Sequence, residues 1–373
     1  MRGTLELEFD AGPSGRGARF AAPRRILRAD TLDEVAGCLE EMQRAQEQGF
    51  WLAGLIAYEA GYAFSHRLAD LIPEAREVPL ILFGAYDAPE AARPDAAPLP
   101  MPELTPTISR ADYASAFARI QDYITAGDVY QVNLTFPLSG ETEAGAAALY
   151  AGLRRGQQVG HGCLVQAGDF AVLSRSPELF FAVDGAGAIT ARPMKGTAPR
   201  SAAPQEDARL AEELRLSEKN RAENLMIVDL LRNDLSRIAE IGTVKVPKLF
   251  EIETYATLHQ MTSTVTAQLR PVGLSEMMAA LFPCGSITGA PKIRAMQVIR
   301  EVEPFARGAY CGAIGWVAPT GAMEFSVAIR TALLREGRIT LNVGGGIVAD
   351  SQVDAEWEEA LCKAGFASRH RTI

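Results

Sequence analysis

Cysteine is scarce and unpatterned in this chain. The five residues Cys38, Cys163, Cys284, Cys311 and Cys362 are widely spaced, odd in number and free of any C-x-x-C pair. Neither a disulfide framework nor a zinc knuckle is therefore implied, and the cysteines read as reduced core residues. Long apolar runs are missing too: nothing approaches the roughly 18 consecutive apolar residues of a membrane span, and the N-terminus lacks a basic segment followed by an apolar run. No membrane association is expected, and a cytoplasmic location is. Positive charge is in deficit, with 37 Lys and Arg against 46 Asp and Glu. The resulting net charge of −9 argues against nucleic acid as a partner. A small anionic substrate would need its own local cations. The G-x-x-x-x-G-K-[ST] spacing is also absent, which removes the main support for ATP or GTP binding.

What is present is a chain of 373 residues, 48% hydrophobic, long enough for a large core. Residues 5–9 alternate as a strand. Thr31 to Gln48 reads as a helix capped at Asp30 or Thr31, and 50–58 and 79–86 as buried strands. Prolines at 89, 94, 98, 100, 102 and 106 mark a connector. It separates an N-terminal part, 1–105, expected to pack into the same fold, from a core at 106–373. Ser109 and Asp112 form a capping box for a helix that ends at Gly127. In 129–136, Val132, Leu134 and Phe136 point one way and Gln131, Asn133 and Thr135 the other; the polar row lines a cleft or is half-exposed. Short strands follow at 162–166, 170–174, 178–183 and 188–191. Residues 205–239 read as two helices divided at Ser217, and Pro291 opens another at 292–302. The spans 310–318 and 323–334 read as strands. Strands in runs with helices in blocks argue for an α+β fold with antiparallel pairing.

Several stretches carry chemistry. Gly344-Gly-Gly follows a strand at 338–343, and the helix beginning near Asp354, with Ser351 and Asp354 spaced as a capping box, places Glu356, Glu359 and Lys363 on one face at roughly 100° per residue. Two carboxylates and an ammonium beside glycines can hold a divalent cation and an anion together. A solvated, salt-bridged helix face is the alternative. Glu223 shares a stripe with Ile227 and Leu230, so it turns towards the core and needs a partner or a cation. Arg330 stands among small residues at 326, 328 and 332, which suits a bidentate carboxylate or a plain solvent-facing arginine. Glu178 and Lys195 can do acid and nucleophilic work or form an exposed ion pair. Cys284-Gly-Ser-Ile-Thr288 leads through Gly289 towards a helix N-terminus, a generic anion site. These residues together describe a Mg²⁺-dependent enzyme acting on a small carboxylate.

The order of motifs reaches further. Ser176-Pro-Glu-Leu-Phe, Pro193-Met-Lys-Gly-Thr, Ala222-Glu-Asn-Leu-Met-Ile-Val-Asp-Leu-Leu-Arg-Asn-Asp, Phe282-Pro-Cys-Gly-Ser-Ile-Thr-Gly-Ala-Pro-Lys, Val327-Ala-Ile-Arg-Thr and Gly344-Gly-Gly-Ile-Val-Ala-Asp-Ser resemble the chorismate-utilising enzymes. Among these they are most similar to the aminodeoxychorismate synthases (component I), strongly over 108–370 and loosely over 1–105, where Tyr58-Glu-Ala-Gly-Tyr62 is similar to short forms. The resemblance implies a large, mostly antiparallel β-sandwich flanked by helices. It also implies Mg²⁺ held by Glu223, Glu356 and Glu359 against the ring carboxylate of chorismate. Lys363 and the backbone of Gly345 and Gly346 would contact carboxylates, Tyr310 and Arg330 the enolpyruvyl carboxylate, with Thr197 nearby and His259 near the ring.

Lys195 separates the reactions. The anthranilate synthases resemble this motif but have alanine there, whereas a lysine implies attack of a neutral amine on C2, loss of the C4 hydroxyl with Glu178 as general acid, and addition of ammonia at C4. Gln131 matches the site of a water-activating lysine in isochorismate and salicylate synthases, and glutamine cannot be that base. The resemblance implies a separate glutamine amidotransferase subunit as the ammonia source. Anthranilate synthase component I remains the nearest alternative, with isochorismate or salicylate synthase behind it.

Overall fold

The computed structural model describes residues 4–255 and 258–367. Two sheets of ten strands each face one another, antiparallel in every pairing of the described residues. The first sheet runs from Gly289–Ala290 through Gln131–Glu141, Arg338–Ile347, Thr331–Arg335, Phe170–Ser176, His161–Ala167 and Leu5–Phe9 to Ala18–Phe20 and Glu90–Ala91. The second runs from Met194–Pro199 through Leu258–Gln268, Ala188–Ala191, Leu179–Val183, Met323–Val327, Ala313–Val317 and Trp51–Ile56 to Ile81–Tyr86 and Arg25–Ala29. The architecture is the α+β sandwich expected.

Period-2 burial explains the layering. Leu5, Leu7, Leu55, Val165, Val172 and Ile314 fill the space between the sheets. The opposite faces are covered by helices. Val132, Leu134 and Phe136 meet Tyr113, Phe117 and Ile120 of the helix Arg110–Thr125 and Trp357 of the helix Val353–Lys363. Leu52, Phe83 and Phe181 meet Val35 and Leu39 of the helix Leu32–Glu47 and Ile227 of the helix Glu218–Ser236. The helix starts obey local chemistry. Thr31 and Glu34 form a capping box, Ser109 and Asp112 another, and the Ser217 side chain accepts from Asn220 N–H.

Two expectations fail. Residues 323–334 do not form one strand: Met323–Val327 belongs to the second sheet and Thr331–Arg335 to the first. The chain changes sheet at 328–330, where Arg330 adopts φ +50°, so Ser326 and Arg330 do not share a strand face. The Ser351 capping box is not made either. Gln352 is the N-cap, and the Ser351 hydroxyl donates to Glu356 Oε1 at 2.6 Å.

A second change of sheet lies beside the first. Phe170–Ser176 is in the first sheet and Leu179–Val183 in the second, so Pro177 and Glu178 form a crossover running the other way. The two crossovers are stitched together. Ser176 Oγ–H donates to Val327 O (2.6 Å), Val327 N–H to Glu178 O (3.1 Å), and Arg175 N–H to Arg330 O (3.0 Å). Nearby, Glu303 and Arg307 form an ion pair at 2.7 Å with exposures of 2% and 1%. Glu303 also accepts from Thr135, and Arg307 donates to the carbonyls of Asn133 and Ile287. Removing one member would strand the other charge in the interior. Glu303→Ala is expected to lower unfolding free energy by about 3–5 kcal/mol, read as a fall in the midpoint of a denaturant transition.

Candidate active site

Where the crossovers meet the glycine strand, the sheets leave a cavity of about 770 Å³ between them, a size suited to a small ligand. The first sheet contributes Arg338–Ile347. Its glycines lie within the strand and not in a loop after it, because their neighbours leave no room for side chains. A Cβ on Gly346 would lie 2.7 Å from Gln131 Nε2 and 3.1 Å from Lys195 Nζ, and one on Gly345 would lie 3.0 Å from Glu356 Oε2. The second sheet contributes Lys195 and Thr197 on its edge strand Met194–Pro199, and Gly196 between them takes φ +88°. The crossovers present Glu178 and Arg330, and Tyr310 joins them on the wall.

The helices Glu218–Ser236 and Val353–Lys363 complete the cavity with Glu223, Glu356, Glu359 and Lys363. Of the candidate residues, then, Glu178, Lys195, Thr197, Glu223, Tyr310 and Arg330 line it, as do Gly345, Gly346, Glu356, Glu359 and Lys363. Gln131 sits behind Gly346, fully buried, with neither side-chain atom hydrogen-bonded among the described residues.

His259 is the exception. Its neighbours Leu258 and Gln260 line the cavity, but strand alternation turns His259 away. Nε2 lies 3.0 Å from Asp207, itself paired with Arg200, and Nδ1 lies 2.9 Å from Thr254 Oγ1. The structure therefore does not bring His259 to the reacting groups, and no role is derived for it.

Burial sets the electrostatics. The Glu178 carboxyl is pushed up to about 7 by burial, against the lowering effects of a Ser286 hydrogen bond, Lys195 and Arg330. Burial lowers the Lys195 ammonium, with Lys363 acting the same way and Glu223 and Glu178 opposing. Burial also raises Glu223, aided by the neighbouring charges of Glu359 and Glu356. For Glu359, at the open side, the raising effect of burial is outweighed by Lys363, 2.8 Å away, with Lys195 and Lys219. The cavity thus holds a carboxylic acid ready to give a proton and a lysine biased towards the free amine.

Ser286 is a residue that sequence reasoning passed over. Its hydroxyl donates to Glu178 Oε1 at 2.7 Å, so the glycine-flanked segment at 284–288 serves the acid and is not an independent anion site. Lys219, on the wall four residues before Glu223, was legible from i,i+4 spacing alone.

Among the described residues, no three His, Cys, Asp or Glu side chains stand close enough together to hold a metal ion as placed. Glu356 is drawn to Ser351 and Glu359 to Lys363. The donor chemistry nevertheless suits a hard cation. Glu223, Glu356 and Glu359 offer only oxygen donors on one cavity, and burial first, then the charges of Glu359 and Glu356, raises Glu223.

The cavity between two antiparallel sheets is walled by cations, carboxylates and glycine backbone, groups that can meet a small carboxylated anion. The chain belongs to the chorismate binding enzymes, whose family model matches residues 87–369. Aminodeoxychorismate synthase component 1 of Escherichia coli (strain K12) is 44% identical over 257 residues, 69% of this chain and 56% of that protein. Aminodeoxychorismate synthase of Streptomyces griseus is 48% identical over 248 residues, 65% of this chain and 34% of that protein. Anthranilate synthase component 1 of Pseudomonas aeruginosa is 41% identical over 309 residues, 82% and 60% of the two chains. The matched part is therefore less than two thirds of the length of each of these relatives. In fold, anthranilate synthase component I from Streptococcus pneumoniae superposes with a TM-score of 0.79 at 24% identity, covering 99% of this chain and 92% of that one. The menaquinone-specific isochorismate synthase from Escherichia coli gives 0.76 at 18% identity, covering 97% and 87%. No helix of the described residues is long and apolar enough to cross a membrane.

Proposed function

We propose that this chain aminates chorismate at C4, giving 4-amino-4-deoxychorismate for 4-aminobenzoate and folate synthesis, with ammonia supplied by a glutamine amidotransferase subunit. The observation that carries the reading is Lys195, a lysine biased towards its free amine on the same cavity as an acid, Glu178, raised to about 7. The amine attacks C2 of chorismate, the two ring double bonds shift, and the C4 hydroxyl leaves as water with the proton of Glu178. The proton on the attacking nitrogen passes to the Glu178 carboxylate. Ammonia then bonds to C4, the double bonds shift back, and the C2–N bond breaks as Glu178 returns its proton to the departing nitrogen, regenerating the Lys195 amine; the ammonium formed at C4 gives up a proton that restores the acid form of Glu178.

Arg330 and Tyr310 would hold the enolpyruvyl carboxylate with Thr197 nearby, and Lys363 with the backbone of Gly345 and Gly346 would hold the ring carboxylate. Glu223, Glu356 and Glu359 would hold Mg²⁺, which when bound would supply positive charge to that carboxylate. Gln131 behind Gly346 cannot deprotonate water, which disfavours hydroxylation at C2. The "component 1" in the name of the Escherichia coli relative supports a second subunit. The cytoplasm is the proposed location.

Incubation of the purified chain with chorismate, Mg²⁺ and ammonia, with products identified by mass, tests the reading. Aminodeoxychorismate is expected; direct formation of anthranilate and pyruvate would move the chain to the anthranilate synthases, and no turnover at high ammonia would overturn both. Gly346→Ala probes the fit independently. A methyl group there meets Gln131 and Lys195 at 2.7 and 3.1 Å, and displacement of the nucleophile by a fraction of an ångström to an ångström is expected to lower kcat/KM roughly 10²-fold. Steady-state kinetics beside an unchanged melting curve would establish it.

A further inference from the structure

Arg175 is charged, has 1% of its surface exposed, and lies immediately before the crossover that carries Glu178. A guanidinium is buried at low cost only where its charge and its donors are met. Nη1 donates to Asp10 and to Tyr150 Oη (3.0 Å), and Nη2 donates to the carbonyl of Gln157 (2.5 Å), while Nε is buried without a hydrogen-bond partner among the described residues. The guanidinium carbon stands 5.3 Å from the centroid of the Tyr150 ring. Asp10 is fixed in turn. Tyr150 Oη–H donates to it at 2.9 Å, Arg154 Nε lies 3.2 Å away, and its own N–H bonds to Gly162 O at 2.9 Å. A Cβ at position 162 would overlap both Asp10 and Arg175, so the pair depends on that glycine.

Asp10, Tyr150 and Arg175 do not line the cavity, but what Arg175 holds does. Gln157 is on the wall. Glu178 follows three residues later, and the Arg175 N–H bonds to the carbonyl of Arg330. Arg330 has a left-handed backbone, φ +50°, which persists in a non-glycine residue only where its surroundings fix it. Asp10 lies outside the residues 87–369 matched by the family model.

We infer that Arg175, with Asp10 as its counter-charge and Tyr150 as its brace, is a positioning residue for the cavity. It sets the wall at Gln157 and the paired crossovers that present Glu178 and Arg330. The N-terminal strand thereby becomes part of the substrate-binding apparatus. The inference rests on the cavity being the chorismate site.

Two variants of the full chain test it. Asp10→Asn keeps shape and removes charge; Arg175→Lys keeps charge and removes the planar fork. Each is expected to raise KM for chorismate about 10-fold and to lower kcat as well, because Arg330 and Glu178 shift together with the crossovers, and the double variant is expected to be no worse than Arg175→Lys, as for residues acting as one unit. Asp10→Glu is expected to recover part of the loss. In the free protein, amide exchange at 157–162 and 328–331 is expected to quicken about 10-fold in Asp10→Asn, with 25–29 and 81–86 unchanged. A lowered melting temperature with KM and local exchange as in the wild type would make the pair merely structural and overturn the inference. Should Arg175→Lys not fold, Asp10→Asn decides. If the wild type proves not to use chorismate, the functional reading fails separately. The exchange measurement needs no substrate and would still overturn the inference by showing no change at 157–162 and 328–331.

Discussion

Lys195→Ala is expected to lower aminodeoxychorismate formation by about 10³-fold or more, the scale seen when a nucleophile that works as a unit with its acid is removed. The covalent C2 adduct, detected as a mass increase on quenched wild-type protein, is expected to vanish. Because the ammonium is already destabilised by burial, the shorter side chain relieves an unfavourable charge and is not expected to weaken the fold. Chorismate affinity should change little, since Arg330, Tyr310 and Lys363, the carboxylate partners proposed above, remain. An adduct that persists in Lys195→Ala would remove Lys195 as the nucleophile.

Glu178→Gln is the second large effect. In the proposed reaction the acid must be protonated to expel the C4 hydroxyl, and its carboxyl is pushed up to about 7 by burial, so its protonated fraction falls as pH rises through that value. Lys195 must be deprotonated, and burial lowers its pKa, so its free-amine fraction rises as pH rises. The profile of the wild type is thus a bell. Gln keeps the shape and the Ser286 contact but has no acidic proton, so the rate should drop about 10²–10⁴-fold and the limb near 7 should disappear. Retention of that limb would assign it to another group. The same substitution has a stability signature. The folded pKa is raised, so the contribution of Glu178 is fully present below its ordinary 4.5 and is lost as pH rises through about 7. The variant should therefore lose less stability than the wild type between pH 5 and 8.

What the sequence disclosed followed from local rules. Thr31, Ser109 and Ser217 announce their helices because capping satisfies orphan N–H groups within a few residues. The alternation at 131–136 announces which side chains face the sheet interior. What it concealed depends on distant partners. Leu258–Gln268 carries Thr, Ser and Gln where a core strand would carry aliphatics, and it is a strand because Met194–Pro199, Ala188–Ala191 and Lys245–Thr254 all pair with it. Lys195 is on the edge strand Met194–Pro199 for the same reason. Residues 323–334 have continuous strand character, and nothing local marks the left-handed Arg330 at which they change sheet. At the site, glycines, lysine and carboxylates were legible as types and spacings. That Ser286 serves Glu178, and that Asp207 draws His259 aside, are relations between segments 108 and 52 residues apart.

Lys195 and Gly346 belong to opposite sheets, and a Cβ added to Gly346 would lie only 3.1 Å from Lys195 Nζ. The two sheets therefore act as the jaws of a caliper, set by Leu7, Leu55, Val165, Val172 and Ile314 at a distance from the cavity. Sheet separation follows the bulk of the side chains packed between the sheets. If Lys195 is the nucleophile, enlarging or shrinking that apolar layer is expected to alter its reach across the cavity without altering any group that lines it.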